Sequence, residues 1–232
     1  MARMVMLFFS GGVNEWWNAP RYKNDIFLVA ETMLRRQGTS VDDLHILYGA
    51  GGETFDLPSG RIIAKSADGH TLKTQLSDII ASLTPEDTFF FLATNHGAPA
   101  DNSLSTVGLY GWNEEVIEAQ EFTEWCEGLA ADSQIFIFGQ CYSGGFLEPL
   151  ANHQRVVMAA CQWDELSWQS SMDKNYDEFI LRFAEAIQSG AETYKDAFNK
   201  ASEMDKENET PQFSDPGNVS AKTPIPPVAE SS

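Results

Sequence analysis

Two short stretches hold the residues best suited to chemistry. "TNHGAP" (94–99) sets His96 beside Gly97, and "GQCYSGG" (139–145) sets Cys141 ahead of Ser143, Gly144 and Gly145. A cysteine and a histidine can together make a thiol nucleophile. The thiolate is the attacking species, and a free cysteine with a pKa near about 8.5 is mostly protonated at neutral pH. An imidazole nearby can take that proton and later give it to a leaving amine, a contribution of about 10²–10⁴ in rate. The N-terminus of a short helix after residue 142 would further favour the thiolate. Gly97 lets its backbone N–H approach a reacting carbonyl. The N–H groups of Gly97 and Cys141 would then form an oxyanion hole.

The two stretches need to be brought together. Each follows an apolar run, "FFFLA" at 89–93 and "IFIF" at 135–138. Near-continuous apolar runs at 3–9, 43–48, 87–94, 133–139 and 155–161 read as strands buried on both faces. Between and after them, helices are expected at 25–37, 71–83, 119–130, 143–151, 174–189 and 191–205. This alternation implies an α/β fold: a doubly wound, mainly parallel sheet with helices on both faces. In such sheets ligands sit at the carboxyl ends of strands. His96 and Cys141 both lie there if their strands are neighbours.

The remaining candidates are weaker. Phe122, Cys126 and Leu129 share a helical face, so Cys126 reads as core. Cys161 reads as core or pocket lining. His45, His70 and His153 fall in a strand, a turn and a surface loop. Segment 49–70 carries Gly and Pro turn signals and reads as a loop or small hairpin. Segment 97–114 reads as a long loop or hairpin walling the site. "TPQF" (210–213) could add a last strand. A single domain is expected over 1–216, with 217–232 a disordered, proline-rich tail.

Composition narrows the class. The chain has 232 residues, 43% hydrophobic and 21% charged, with a net charge of −19. That charge argues against nucleic acid or an anionic membrane as partner. No apolar run reaches the roughly 20 residues of a membrane span. Three cysteines do not make a disulfide framework. A reducing, cytoplasmic setting is expected, with no cofactor and no metal, and a peptide or protein as substrate.

The motifs also carry a resemblance. Thr94-Asn95-His96-Gly97 resembles the Thr-Asp-His-Gly of legumain-like asparaginyl endopeptidases, and Gln140-Cys141-Tyr142-Ser143-Gly144 resembles their Ala-Cys-Glu-Ser-Gly. "WWNAPRYKND" (16–25) resembles their Trp-Tyr-Asn-Tyr-Arg-His-Gln-Ala-Asp. Legumain-like enzymes belong to the caspase-like clan of cysteine peptidases. The resemblance implies that Cys141 is the nucleophile, His96 the general base and acid, and Asn18 the residue that orients His96. It also implies an S1 pocket made by Arg21, Ser167 and Asp177. The competing readings are a turn-capping role for Asn18, a surface cation for Arg21 and a helix N-terminal charge for Asp177. A pocket holding both signs suits a neutral amide, hence cleavage after Asn or Asp. Gly139, Gln140 and Asn95 depart from the family pattern of Glu, Ala and Asp, which keeps a Lys- or Arg-specific peptidase of the same clan open. A catalytically inactive interaction module and a small-molecule thiol hydrolase are also compatible with these residues.

Overall fold

A computed structural model describes residues 2–100, 107–204 and 209–229. Its centre is a six-stranded sheet. Five strands are parallel: β1 (Met4–Ser10), β2 (Leu44–Tyr48), β5 (Thr88–Ala93), β9 (Ser133–Phe138) and β10 (Arg155–Ala159). The sixth, β11 (Gln212–Ser214), pairs antiparallel with β10. The order is β11-β10-β9-β5-β1-β2, so the winding reverses between β1 and β5. A hairpin, β3 (Thr54–Leu57) with β4 (Gly60–Ile63), fills the 49–70 segment. A small antiparallel sheet joins β6 (Gly97–Ala98), β7 (Gly108–Tyr110) and β8 (Val116–Glu118) beyond the end of β5.

Alternation along the strands makes two cores. Met4, Met6 and Phe8 of β1 face one helical layer: α1 (Pro20–Leu34), α5 (Glu178–Gln188) and α6 (Tyr194–Met204). Val5, Leu7 and Phe9 face the other: α2 (Gly69–Ser82), α3 (Ala119–Trp125) and α4 (Leu147–Leu150). The result is a doubly wound α/β/α sandwich, as the alternation predicts. In α2, Leu72, Leu76 and Ile79 recur on one face, and the Asp68 carboxylate caps the Thr71 N–H at 2.7 Å. No helix among the described residues is long and apolar enough to cross a membrane.

Several boundaries differ from expectation. α1 begins at Pro20 rather than residue 25, because proline's fixed φ suits the first helical position. α3 ends at Trp125 rather than 130, with Gly128 at φ 89° shortly beyond it. Residues 217–229 are not disordered. They carry α7 (Val219–Lys222), and Val219 and Ile225 are buried in the core. Pro224 bridges to Thr193 and Val228 to Arg36. Two apolar side chains placed over an open core edge outweigh the polar composition that suggested disorder.

Candidate active site

Register brings the two motifs together. Ala93 of β5 pairs with Phe138 of β9, and the Gly139 N–H donates to the Ala93 carbonyl at 2.8 Å. His96 and Cys141 each lie three residues beyond that pair. The loops then close on each other. A β-carbon on Gly97 would sit 1.9 Å from the Cys141 carbonyl oxygen and 3.0 Å from Gln140 Cγ. Asn95 (φ 118°) and Tyr142 (φ 61°) flank the two residues in conformations that side chains rarely adopt, each costing about 1–3 kcal/mol.

The His96 ring is held from the β1 side. Its Nε2 lies 3.2 Å from the Trp17 carbonyl and 3.0 Å from Tyr22 Oη. A carbonyl can only accept, so when Nε2 donates to Trp17 the basic nitrogen is Nδ1. Tyr22 Oη in turn accepts from Arg21 Nη2 at 2.6 Å. Trp17 and Tyr22 set their rings edge-on to the imidazole at 5.9 and 5.4 Å. Burial pushes His96 below the usual histidine pKa; the Trp17 carbonyl opposes this and the Arg21 charge adds to it.

Asn18 does not take the orienting position. Its side chain packs between Gly12 and Gly49, where β-carbons would lie 2.5 Å from its Cγ and 3.0 Å from its Nδ2. The reason is a tight turn: the N–H groups of Trp17 and Asn18 both donate to the Asn14 carbonyl, at 3.2 and 3.0 Å. That turn aims the preceding carbonyl, Trp17 O, at the imidazole.

Cys141 is partly exposed, while Cys126 and Cys161 are buried. Its Sγ accepts from the Ser167 N–H at 3.3 Å and donates to the Ser167 carbonyl at 3.6 Å. Burial raises the thiol's pKa, against the pull of the Ser167 contacts. The expected thiolate-stabilising helix is a 3-10 turn, Ser143–Phe146, leading into the four-residue α4, and burial outweighs it. The resting pair is therefore a neutral thiol and a neutral imidazole. Burial pushes Cys126 and Cys161 up to about 12, which suits inert core thiols.

A pocket of about 280 Å³ is lined by Arg21, Tyr22, His96, Cys141, Ser167 and Asp177 among others. It contains every residue expected of the site except Asn18 and Gly97, and Gly97 touches Cys141 from behind. Arg21 Nε donates to Asp177 Oδ1 at 2.6 Å. Asp177 is also the N-cap residue of α5, so the pocket reading and the helix-terminus reading hold together. Behind it, the Asp177 N–H donates to Asp25 Oδ1 at 3.1 Å and Thr94 Oγ1 donates to Asp25 Oδ2 at 2.8 Å. Burial raises both carboxyls, and the Asp177 charge raises Asp25 further. Arg21 lies against Asp177, so Asp25 is the more strongly raised of the two. Among the described residues no cluster of three or more His, Cys, Asp or Glu is placed to hold a metal ion.

Comparison with known proteins agrees with this geometry. The peptidase C13 family model matches residues 66–224, which takes in His96, Cys141, Ser167 and Asp177. The chain belongs to the peptidase C13 family. It is thus a member of the caspase-like clan of cysteine peptidases. No curated protein matches it by sequence. Among solved structures, the crystal structure of protein GSU0716 from Geobacter sulfurreducens is similar, with a TM-score of 0.60 over 91% of this chain and 92% of that one. Identity is 9%, so that likeness speaks for the fold alone.

Sequence reasoning missed Tyr22, Asp25 and the Trp17 carbonyl. Tyr22 and Asp25 were open to inference, since Arg21, Tyr22 and Asp25 fall within one and a half turns of α1 and an acid four residues after an arginine shares its face. The Trp17 carbonyl left no sequence signal, because any residue type supplies one. The family departures also have a structural setting. A β-carbon at Gly139 would lie 2.7 Å from Ile180 Cγ1, so no acidic side chain fits there.

Proposed function

We propose that the protein is a cysteine endopeptidase that cleaves after asparagine, and more slowly after aspartate, through a thioester acyl-enzyme. The observation that carries this is the shared pocket, whose lining holds Cys141 and His96 together with the Arg21–Asp177 ion pair. In this reading His96 Nδ1 takes the Cys141 proton as Sγ attacks the scissile carbonyl carbon. The Gly97 and Cys141 N–H groups receive the developing oxyanion. The imidazolium then gives its proton to the leaving nitrogen, the C–N bond breaks, and the acyl group remains on Sγ. Water, deprotonated by His96, attacks the thioester, and Sγ leaves and regains its proton. An amine in place of water would give ligation.

The pocket supports this preference. Arg21 offers donors to the amide oxygen and Asp177 accepts from the amide NH₂. A Lys or Arg side chain would meet the Arg21 charge. The neutral resting pair requires the thiol to lose its Ser167 carbonyl contact as its proton moves to His96.

Fluorogenic peptides varied only at the residue before the scissile bond test this. Asn should be cleaved fastest, and Cys141→Ala should abolish turnover. Cleavage by Cys141→Ala at the wild-type rate would overturn the mechanism. A Lys or Arg preference would overturn the pocket assignment alone.

A further inference from the structure

A second pocket lies on the other side of His96. Its volume is about 480 Å³, larger than that of the pocket beside Cys141. Val13, Trp17, Tyr110 and Val116 give it apolar walls, and Asn14 and Glu114 give it a polar end. His96 and Gly97 form its border with the catalytic centre.

Two loops are zipped together to make this wall. The Glu114 N–H donates to the Val13 carbonyl at 2.9 Å, and Asn14 Nδ2 donates to Glu114 Oε1 at 2.8 Å. Gly11 approaches so closely that a β-carbon would lie 2.1 Å from the Tyr110 carbonyl oxygen. Val13 (φ 60°), Asn113 (φ 64°) and Glu114 (φ 65°) all sit in the left-handed region, where a β-branched valine is rare. Such strain persists only where the surroundings over-determine it. Here the surroundings fix the Glu114 carboxylate at the pocket's end.

Building on the peptidase reading, we propose that this pocket receives the residue after the scissile bond and selects a long side chain with an apolar stem and a cationic head, lysine or arginine. The acyl half of the substrate stays on Cys141. The leaving nitrogen must lie within hydrogen-bond reach of His96, which protonates it. A pocket bordered by His96 and not by Cys141 therefore takes the leaving half. Apolar walls cover the methylenes of a Lys or Arg stem, and Glu114 meets the head. An acidic side chain would face a like charge. The chain's net charge of −19 also attracts cationic peptides.

Internally quenched peptides test this, with Asn fixed before the scissile bond and Lys, Arg, Leu, Ala or Glu after it. The expected kcat/KM for Lys and Arg exceeds that for Glu by about fivefold to tenfold, with the gap closing as salt is raised. Glu114→Gln should bring the two within about twofold. It should leave Cys141 labelling by an Asn-bearing electrophile, which carries no leaving-side residue, unchanged. A flat profile, or one that Glu114→Gln does not alter, overturns the subsite while Cys141-dependent cleavage keeps the peptidase reading. Loss of all cleavage and all Cys141 labelling in the wild-type protein overturns both.

Discussion

Gly97 and Cys141 touch through the backbone, with no room between them for a single methyl group. A β-carbon at Gly97 would lie 1.9 Å from the Cys141 carbonyl oxygen, which is fixed main chain and cannot rotate aside. Gly97→Ala must therefore push the ends of β5 and β9 apart. The expected loss is about 10²-fold or more in kcat/KM, since displacements near 1 Å at a reacting centre have that effect. Overpacking of this kind costs about 1–3 kcal/mol in stability. Thermal melts beside kinetics separate the two effects. A Gly97→Ala protein with wild-type kcat/KM would show that the approach has no catalytic consequence.

The neutral resting pair sets the pH dependence of Cys141. Burial raises the thiol's pKa and lowers that of His96. Alkylation of Cys141 by iodoacetamide should therefore climb with pH through a midpoint above the ordinary value of about 8.5. The acid limb of kcat/KM should fall below about pH 6.5, where His96 becomes protonated and can no longer serve as base. Rapid alkylation that stays flat to about pH 5 would mean a preformed thiolate–imidazolium pair instead.

The sheet was legible because its strands are apolar on both faces. The runs around Phe91 and Phe136 leave no other place for such side chains than between two helical layers. His96 and Cys141 were legible because each follows such a strand and carries a reactive group. The contacts that orient His96 were not. One is a main-chain carbonyl placed by the turn at Asn14, and a loop conformation is not written in the type of the residue that offers the carbonyl. Asn18 misled for the same reason: its type suited the role, but the turn sets its side chain against Gly12 and Gly49. The tail misled because composition averages over a segment, whereas Val219 and Ile225 act as individual anchors.

The Asp25–Asp177 pair couples stability to pH. Asp25 is raised well above the usual carboxyl range, first by burial and then by the Asp177 charge. The folded protein thus holds a proton that the unfolded chain releases near about pH 3.9. As pH rises from there toward the folded-state value, folding loses the stability that this proton uptake supplied. Asn is close in shape to a protonated Asp and keeps an acceptor for the Asp177 N–H. Asp25→Asn should flatten the fall in melting temperature between acid and neutral pH and raise stability at neutral pH. Parallel slopes for the variant and the wild type would place the proton elsewhere.

Ile225 anchors the C-terminal segment. Its side chain is 5% exposed, and its N–H donates to the Glu192 carbonyl at 2.9 Å in the turn before α6. Ile225→Ala removes buried volume that a fixed backbone cannot refill, at a cost of about 2–4 kcal/mol. In a chain of this size that corresponds to a fall of roughly 5–15 °C in melting temperature. Asp177 of the active site stands at the N-terminus of α5, whereas Glu192, the partner of Ile225, follows its C-terminus, so kcat/KM at a temperature where both proteins are folded should change less than about twofold. Melting that is unchanged by Ile225→Ala would return residues 217–229 to the disordered tail that their composition suggests.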